Sequence, residues 1–357
     1  MSTEERLNLI KSVGEEVVTE EEVIELLNSK KNFYAYDGFE PSGQIHIAQG
    51  ILRSINVNKM INAGATFNML VADWHGWANN KLGGNLDNIQ TAGKYLIEVW
   101  RLTGMDLNHV NFLWASEFVK DDEYWKKVME IARNSTLKRI IRTAQIMGRL
   151  QSEALQASQI LYPCLQCADI FHQQVDVCQL GMDQRKVNML AREIGPKLFG
   201  SKPIVVSHKM IRGLNAPKTS YVSLEEKLLD LKMSKSNPDA AIFMTDSESQ
   251  IRKKIQKAYC PESIEENPIL EYVQYFIFEK YDKFKVERSS KFGGDIEFDS
   301  YLDLETTYLK KEIHPADLKN AVASYLNEII DPVRETFELN SKLRELRDQV
   351  LSFQVTR

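Results

Sequence analysis

Residues 232–236 read Lys-Met-Ser-Lys-Ser and place two ammonium groups and two hydroxyls within five positions. Such a cluster can grip a polyphosphate and follow charge as it moves between phosphate oxygens. A solvated surface loop explains the same residues equally well, because lysine is mostly exposed. A second segment bears on the choice. Residues 38–49 read Gly-Phe-Glu-Pro-Ser-Gly-Gln-Ile-His-Ile-Ala-Gln and lie between an apolar run and a helical pattern. Gly43 lets backbone approach a ligand closely, and His46 stands where a helix start can present a donor to phosphate oxygen. Neither G-x-x-x-x-G-K-[ST] nor G-x-G-x-x-G occurs, so the two common phosphate cradles are absent from the sequence.

A third set of residues has the chemistry of a small polar ligand site. Tyr162, Gln166 and Asp169 fall at i, i+4 and i+7, on one face of a predicted helix. Gly181-Met182-Asp183-Gln184 follows, then Arg185 and Lys186, while Tyr36 precedes Gly38 at the end of an apolar run. A partly buried polar helix face is the plain alternative for Tyr162, Gln166 and Asp169. Cys164 and Cys167 form a C-x-x-C with Cys178 nearby, but no second pair accompanies them, so buried small hydrophobes are expected rather than a metal site. Lys138, Arg139, Arg142 and Arg149 make one basic set, and Arg252, Lys253, Lys254 and Lys257 another. Each reads as a solvated helix face unless a nucleic-acid substrate is argued independently.

The elements that must position these groups can be read from periodicity. Residues 1–31 look helical and charged, with Thr19-Glu-Glu-Glu22 as a capping box. Strands are expected at 33–39, 67–72, 110–114 and 203–207, and helices at 47–63, 87–102, 121–160, 161–173 and 184–193. Apolar strands alternating with helices predict a Rossmann-like parallel sheet covered on both faces. Beyond Pro238 the pattern turns helical, at 248–259, 267–278, 305–311 and 318–339, with Pro332 expected to kink the last. The expected organisation is an N-terminal helical segment (1–31), a Rossmann-like domain (32–242) and an α-helical domain (243–357).

The chain's 357 residues are 43% hydrophobic, enough for two ordinary domains. No run approaches the ~20 apolar residues of a membrane helix, the N-terminus lacks the features of a leader, and four cysteines suit a reduced compartment, so a cytoplasmic location without membrane association is expected. A net charge of −5 argues against a protein that coats nucleic acid broadly.

Together, the His46 segment and Lys232–Ser236 resemble the HIGH and KMSKS signatures of class I aminoacyl-tRNA synthetases. The second match is complete; in the first, Ala48 and Gln49 replace the usual glycine and second histidine. Tyr36, the 162–169 pattern and residues 181–184 resemble the tyrosyl-tRNA synthetases of archaeal and eukaryotic type, in the right order along most of the chain. The resemblance implies ATP as substrate with Mg²⁺, L-tyrosine and tRNA(Tyr) as partners, and a homodimer joined through a connective insertion at 116–160. It implies that His46, Lys232 and Lys235 stabilise the reacting phosphates. Gly43, Gln49, Gly181, Asp183 and Met233 would complete the ATP site, Met233 from a mobile loop at 231–240 and Asp183 on the ribose. Tyr36 and Asp169 would bond the tyrosine phenol, and Tyr162, Gln166 and Gln184 its ammonium. Arg139, Arg142, Arg185 and Lys186 would meet the tRNA acceptor stem, and Phe292 and Asp317 the anticodon. Tryptophanyl-tRNA synthetases, nucleotidylyltransferases and a catalytically silent tRNA-binding paralogue remain as rival readings.

Overall fold

In a computed structural model the described residues are 1–147 and 155–354. Arg149 and part of the 116–160 insertion lie outside them. The centre is a six-stranded sheet of β1 (Glu16–Val18), β2 (Phe33–Phe39), β3 (Ala65–Val71), β4 (Val110–Trp114), β5 (Val177–Cys178) and β6 (Ile204–Ser207). Its order is β1-β6-β5-β2-β3-β4. All neighbours are parallel except β1, which pairs antiparallel with β6 through Glu16 opposite Ser207. Strands β3, β5 and β6 are almost entirely buried, and β2 is buried at four of its seven positions, as expected where helices cover both faces. The chain winds outward from β2 through β3 to β4, then returns to the other side of β2 to add β5 and β6. A crevice therefore opens at the carboxyl ends of β2 and β5, the usual ligand position in such sheets.

The N-terminal segment is not purely helical. Helices Thr3–Val13 and Glu20–Ser29 flank β1, whose three residues give the sheet an edge strand. Thr19 caps the second helix, accepting from the Glu22 amide at 3.3 Å. The reciprocal half of the expected capping box is replaced: the Glu22 carboxylate binds Arg192 at 2.7 Å and Lys202 at 2.5 Å, tying the segment to the sheet domain.

Beyond residue 243 helices dominate, but β7 (Phe284–Val286) and β8 (Ile296–Phe298) form an antiparallel pair that the helical reading did not anticipate. The 25-residue helix Pro315–Leu339 continues through Pro332. Ile330, Val333 and Phe337 are buried around that position, so packing offsets the hydrogen bond that proline cannot donate. Phe337 and Tyr95 meet edge to face at 5.5 Å, joining this helix to Leu86–Leu102 of the sheet domain.

Candidate active site

A cleft of about 550 Å³ lies at the carboxyl ends of β2 and β5. Its lining includes Tyr36, His46, Gln49, Tyr162, Gln166, Asp169, Gly181, Asp183, Gln184, Lys232, Met233 and Lys235. Residues spread over 200 positions thus converge where the winding order places a ligand. Gly43 is the exception: it is absent from the lining and turns the loop at φ +112°, while the neighbouring Ser42 faces the cleft.

One end of the cleft is suited to a phenol. Tyr36 is fully buried on β2, and its hydroxyl, with the Gln166 side chain close by, makes no hydrogen bond of good geometry. Burial, then the Asp169 charge, raises its pKa well above the ordinary phenol value, so it remains protonated and able to donate. Helix Ala157–His172 presents Tyr162, Gln166 and Asp169 from one buried face. Asp169 is only 1% exposed. Its Oδ1 accepts from the Tyr124 hydroxyl at 2.9 Å, and its Oδ2 lies 2.9 Å from His75 Nε2. Desolvation opposes a charged His75, yet the Asp169 charge and hydrogen bond leave its pKa raised. Two groups the sequence reading missed, Tyr124 and His75, therefore orient this carboxylate. Further along the wall, Gln166 Nε2 donates to Gln184 Oε1 at 3.2 Å, and Gln184 Nε2 donates to the Ile146 carbonyl at 3.1 Å.

The other end is cationic. Helix Leu224–Leu231 leads into residues 232–236. The Met233 amide donates to the Ile211 carbonyl at 2.8 Å and its side chain is buried, which anchors the segment between its two lysines. Lys232 Nζ donates to Asp183 Oδ2 at 3.1 Å. Lys235 Nζ donates to Ser42 Oγ at 3.2 Å. Desolvation, then the nearby Lys81 charge, lowers the Lys235 ammonium from 10.5 to about 7. His46 is buried and its Nδ1 has no partner. Desolvation, then Lys235 and Lys232, holds its pKa well below the ordinary imidazole value, so His46 is neutral. The Gln49 carbonyl accepts from Trp100 Nε1 at 2.8 Å, whereas its side-chain Oε1 is buried without a partner. Two ammonium groups beside a neutral imidazole form a cluster of donors that a polyphosphate would satisfy. Among the described residues no group of three His, Cys, Asp or Glu could hold a metal ion.

Beneath this floor lies a buried polar network that the sequence reading also missed. Arg53 Nη1 donates to Asp37 Oδ2 at 2.6 Å and to the Gln179 carbonyl at 3.2 Å, and Nη2 donates to Gln179 Oε1. Burial pushes the Asp37 carboxyl up to about 6 despite that guanidinium.

The residues expected to contact tRNA lie elsewhere. Arg139 pairs with Glu193, and Arg185 grips Glu16 with Nε at 2.6 Å and Nη2 at 2.9 Å. Lys186 donates to Gln145 Oε1, and Arg142 is exposed. Arg139 and Arg185 thus hold the fold's own carboxylates, which a phosphate would have to displace. Phe292 is 62% exposed in the turn between β7 and β8, and Asp317 lies in the first turn of helix Pro315–Leu339.

Comparison with known proteins agrees with this geometry. Residues 28–331 match the family model for class I tRNA synthetases (W and Y). The chain is 46% identical to the cytoplasmic tyrosine–tRNA ligase 1 of Arabidopsis thaliana, over 99% of this chain and 90% of that protein. It is 41% identical to a tyrosine–tRNA ligase of Saccharolobus islandicus, with both chains covered in full. The structure of tyrosyl-tRNA synthetase from Pyrococcus horikoshii in complex with L-tyrosine superposes with a TM-score of 0.91 at 38% identity, covering 98% of this chain and 100% of that one. No helix among the described residues is long and apolar enough to cross a membrane. With its fold, its cleft and these relatives in agreement, the chain belongs to the tyrosyl-tRNA synthetases of class I.

Proposed function

We propose that this chain activates L-tyrosine with ATP, releasing pyrophosphate, and transfers the tyrosyl group from the adenylate to the 3′ end of tRNA(Tyr). The observation that carries the reading is the presence in one cleft of an unpartnered buried phenol at Tyr36 and a donor cluster at Lys232, Lys235 and His46. The substrate's phenolic hydroxyl donates to Asp169 and accepts from Tyr36. Tyr162, Gln166 and Gln184 face its ammonium. An indole offers only a donor and would leave Tyr36 unsatisfied, so the pocket favours tyrosine over tryptophan.

In the first step the tyrosine carboxylate oxygen bonds to the α-phosphorus of ATP while the bond to the bridging oxygen of pyrophosphate breaks. The carboxylate is already ionised, so no protein nucleophile or base is required. The chain contributes alignment and donors for charge accumulating on the leaving pyrophosphate. A polyphosphate would hold Lys235 protonated, because an adjacent anion raises the value that desolvation and Lys81 lower to about 7. Neutral His46 donates without charge, and Gln49 contributes its amide. Mg²⁺ fits as an ion carried on the nucleotide phosphates: the cleft supplies scattered carboxylates, at Glu40 and Asp183, instead of a cage. It would supply charge neutralisation to the phosphate oxygens.

In the second step a terminal ribose hydroxyl of tRNA bonds to the tyrosyl carbonyl carbon as the acyl–phosphate bond breaks, and AMP leaves with the hydroxyl proton lost to a phosphate oxygen or solvent. Phe292 is exposed for stacking on an unpaired base, and the partly exposed Asp317 would accept from a base edge. Arg142 joins Arg139, Arg185 and Lys186 on the acceptor-stem side. Residues 116–160 serve as the dimer contact, with Met129 and Leu137 exposing apolar surface there. The reading carries a domain division near residues 32 and 243 and a cytoplasmic location. Tyrosine-dependent ATP–pyrophosphate exchange tests it. Exchange driven by tyrosine and not by tryptophan is expected; exchange driven equally by both would refute the pocket assignment.

A further inference from the structure

We infer that His208 is a nucleotide-specificity residue that donates from Nε2 to one ribose hydroxyl of ATP, while Asp183 accepts from the other. The inference rests on the ATP-dependent reading above and adds a residue to it.

The argument begins with hydrogen-bond polarity. Arg53 is 2% exposed and can only donate. Its Nη2 meets the side-chain oxygen of Gln179, which fixes that amide's orientation, since the amide nitrogen could not face a guanidinium. Gln179 Nε2 therefore points the other way, to His208 Nδ1 at 3.0 Å. Arg53 Nη1 approaches the same Nδ1 at 3.5 Å. Both neighbours of Nδ1 are donors, so Nδ1 accepts and the ring proton is on Nε2. Burial and the Arg53 charge hold the imidazole well below its ordinary pKa, so the ring is neutral and carries that single proton.

The backbone then fixes where Nε2 faces. His208 pairs with Gly181 as a one-residue continuation of the β5–β6 ladder, with its amide donating to the Leu180 carbonyl at 2.9 Å and its carbonyl accepting from the Met182 amide at 2.9 Å. A Cβ placed on Gly181 would lie 3.5 Å from His208 Nε2 and 2.7 Å from Asp183 Oδ1. A donor and an acceptor thus look onto one glycine face in the wall of the cleft, where the Met210 sulfur also packs, 2.5 Å from the place of such a Cβ, so any residue larger than glycine would crowd all three. Asp183 Oδ2 is held by Lys232, which leaves Oδ1 as the atom turned to Gly181. Phosphates would be attracted to charge, whereas a neutral donor beside a carboxylate complements a vicinal diol. In ATP that diol is the ribose 2′,3′ pair.

The test is tyrosine-dependent pyrophosphate exchange with ATP, 2′-deoxy-ATP and 3′-deoxy-ATP, for the unaltered chain, His208→Leu and His208→Gln. The unaltered chain should disfavour both deoxynucleotides. His208→Leu should reduce discrimination against one of them by up to about tenfold, the contribution of one neutral hydrogen bond, and leave the other unchanged. His208→Gln, whose amide nitrogen reaches the place of Nε2, should restore it. Equal loss of kcat/KM with all three nucleotides would overturn the inference, because a merely structural histidine does not distinguish them. An unaltered chain that uses both deoxynucleotides as well as ATP would overturn it without any variant. Absence of exchange with ATP itself would overturn the ATP-dependent reading and this inference together.

Discussion

Replacing Lys235 with methionine should stabilise this protein while nearly abolishing adenylate formation. The cleft holds the Lys235 ammonium against desolvation and against Lys81, with Glu40 alone offsetting them, and the result is a fall from 10.5 to about 7. A lysine whose folded value is depressed costs stability wherever it is charged in the unfolded chain. The full cost applies below pH 7, where both states are protonated. Between pH 7 and 10.5 the folded state has already lost its proton, the cost shrinks as pH rises, and above 10.5 it vanishes. The ceiling set by that difference is roughly 5 kcal/mol. Lys235 is partly exposed, and solvent screening reduces the expected effect to about 1–2 kcal/mol. Methionine keeps the length and removes the charge. Thermal unfolding at pH 6 should therefore show a midpoint raised by roughly a few degrees, and at pH 10.5 by almost nothing. Pyrophosphate exchange at the same time should fall about 10²- to 10³-fold, the loss of one donor to a charged transition state, with tyrosine affinity retained. A variant no more stable than its parent at pH 6, or one whose advantage grows with pH, would refute the reasoning.

Tyr124→Phe removes a 2.9 Å donor from Asp169 without touching the cleft. It should raise KM for tyrosine about tenfold or more, with kcat little changed, as steady-state exchange kinetics would show. Arg53→Met should cost about 3–5 kcal/mol in chemical denaturation because it leaves Asp37 buried without its ion-pair partner, and pairing it with Asp37→Leu should recover most of that loss. Phe292→Ala should weaken tRNA charging by about 1–3 kcal/mol in kcat/KM, measured by aminoacylation, and leave pyrophosphate exchange unchanged.

Much of the site was legible because its residues sit in local patterns. Tyr162, Gln166 and Asp169 share a helix face by spacing alone, and residues 232–236 are contiguous. Strands of four or more residues, such as 110–114, were also legible. The groups that escaped notice depend on contacts remote in sequence. Arg53 lies in a helix where arginine usually faces solvent, and it is buried only because Asp37 and Gln179, 16 and 126 positions away, meet it. His75 and Tyr124 become site residues through Asp169, 94 and 45 positions away. Strand β5 has two residues and β1 three, too few to show an alternating period. Thr19 began its helix as expected, but Glu22 chose Arg192 and Lys202 over the cap, since two cations outweigh one backbone amide.

Aminoacylation of a tRNA(Tyr) transcript tests the central claim most directly, because it requires the phenol pocket, the phosphate grip and the tRNA surface in one turnover. With ATP, Mg²⁺ and the unaltered chain, tyrosine should be esterified to the transcript, and phenylalanine and tryptophan at equal concentration should leave it uncharged. An uncharged transcript in the presence of tyrosine, or equal charging by phenylalanine, would contradict the account.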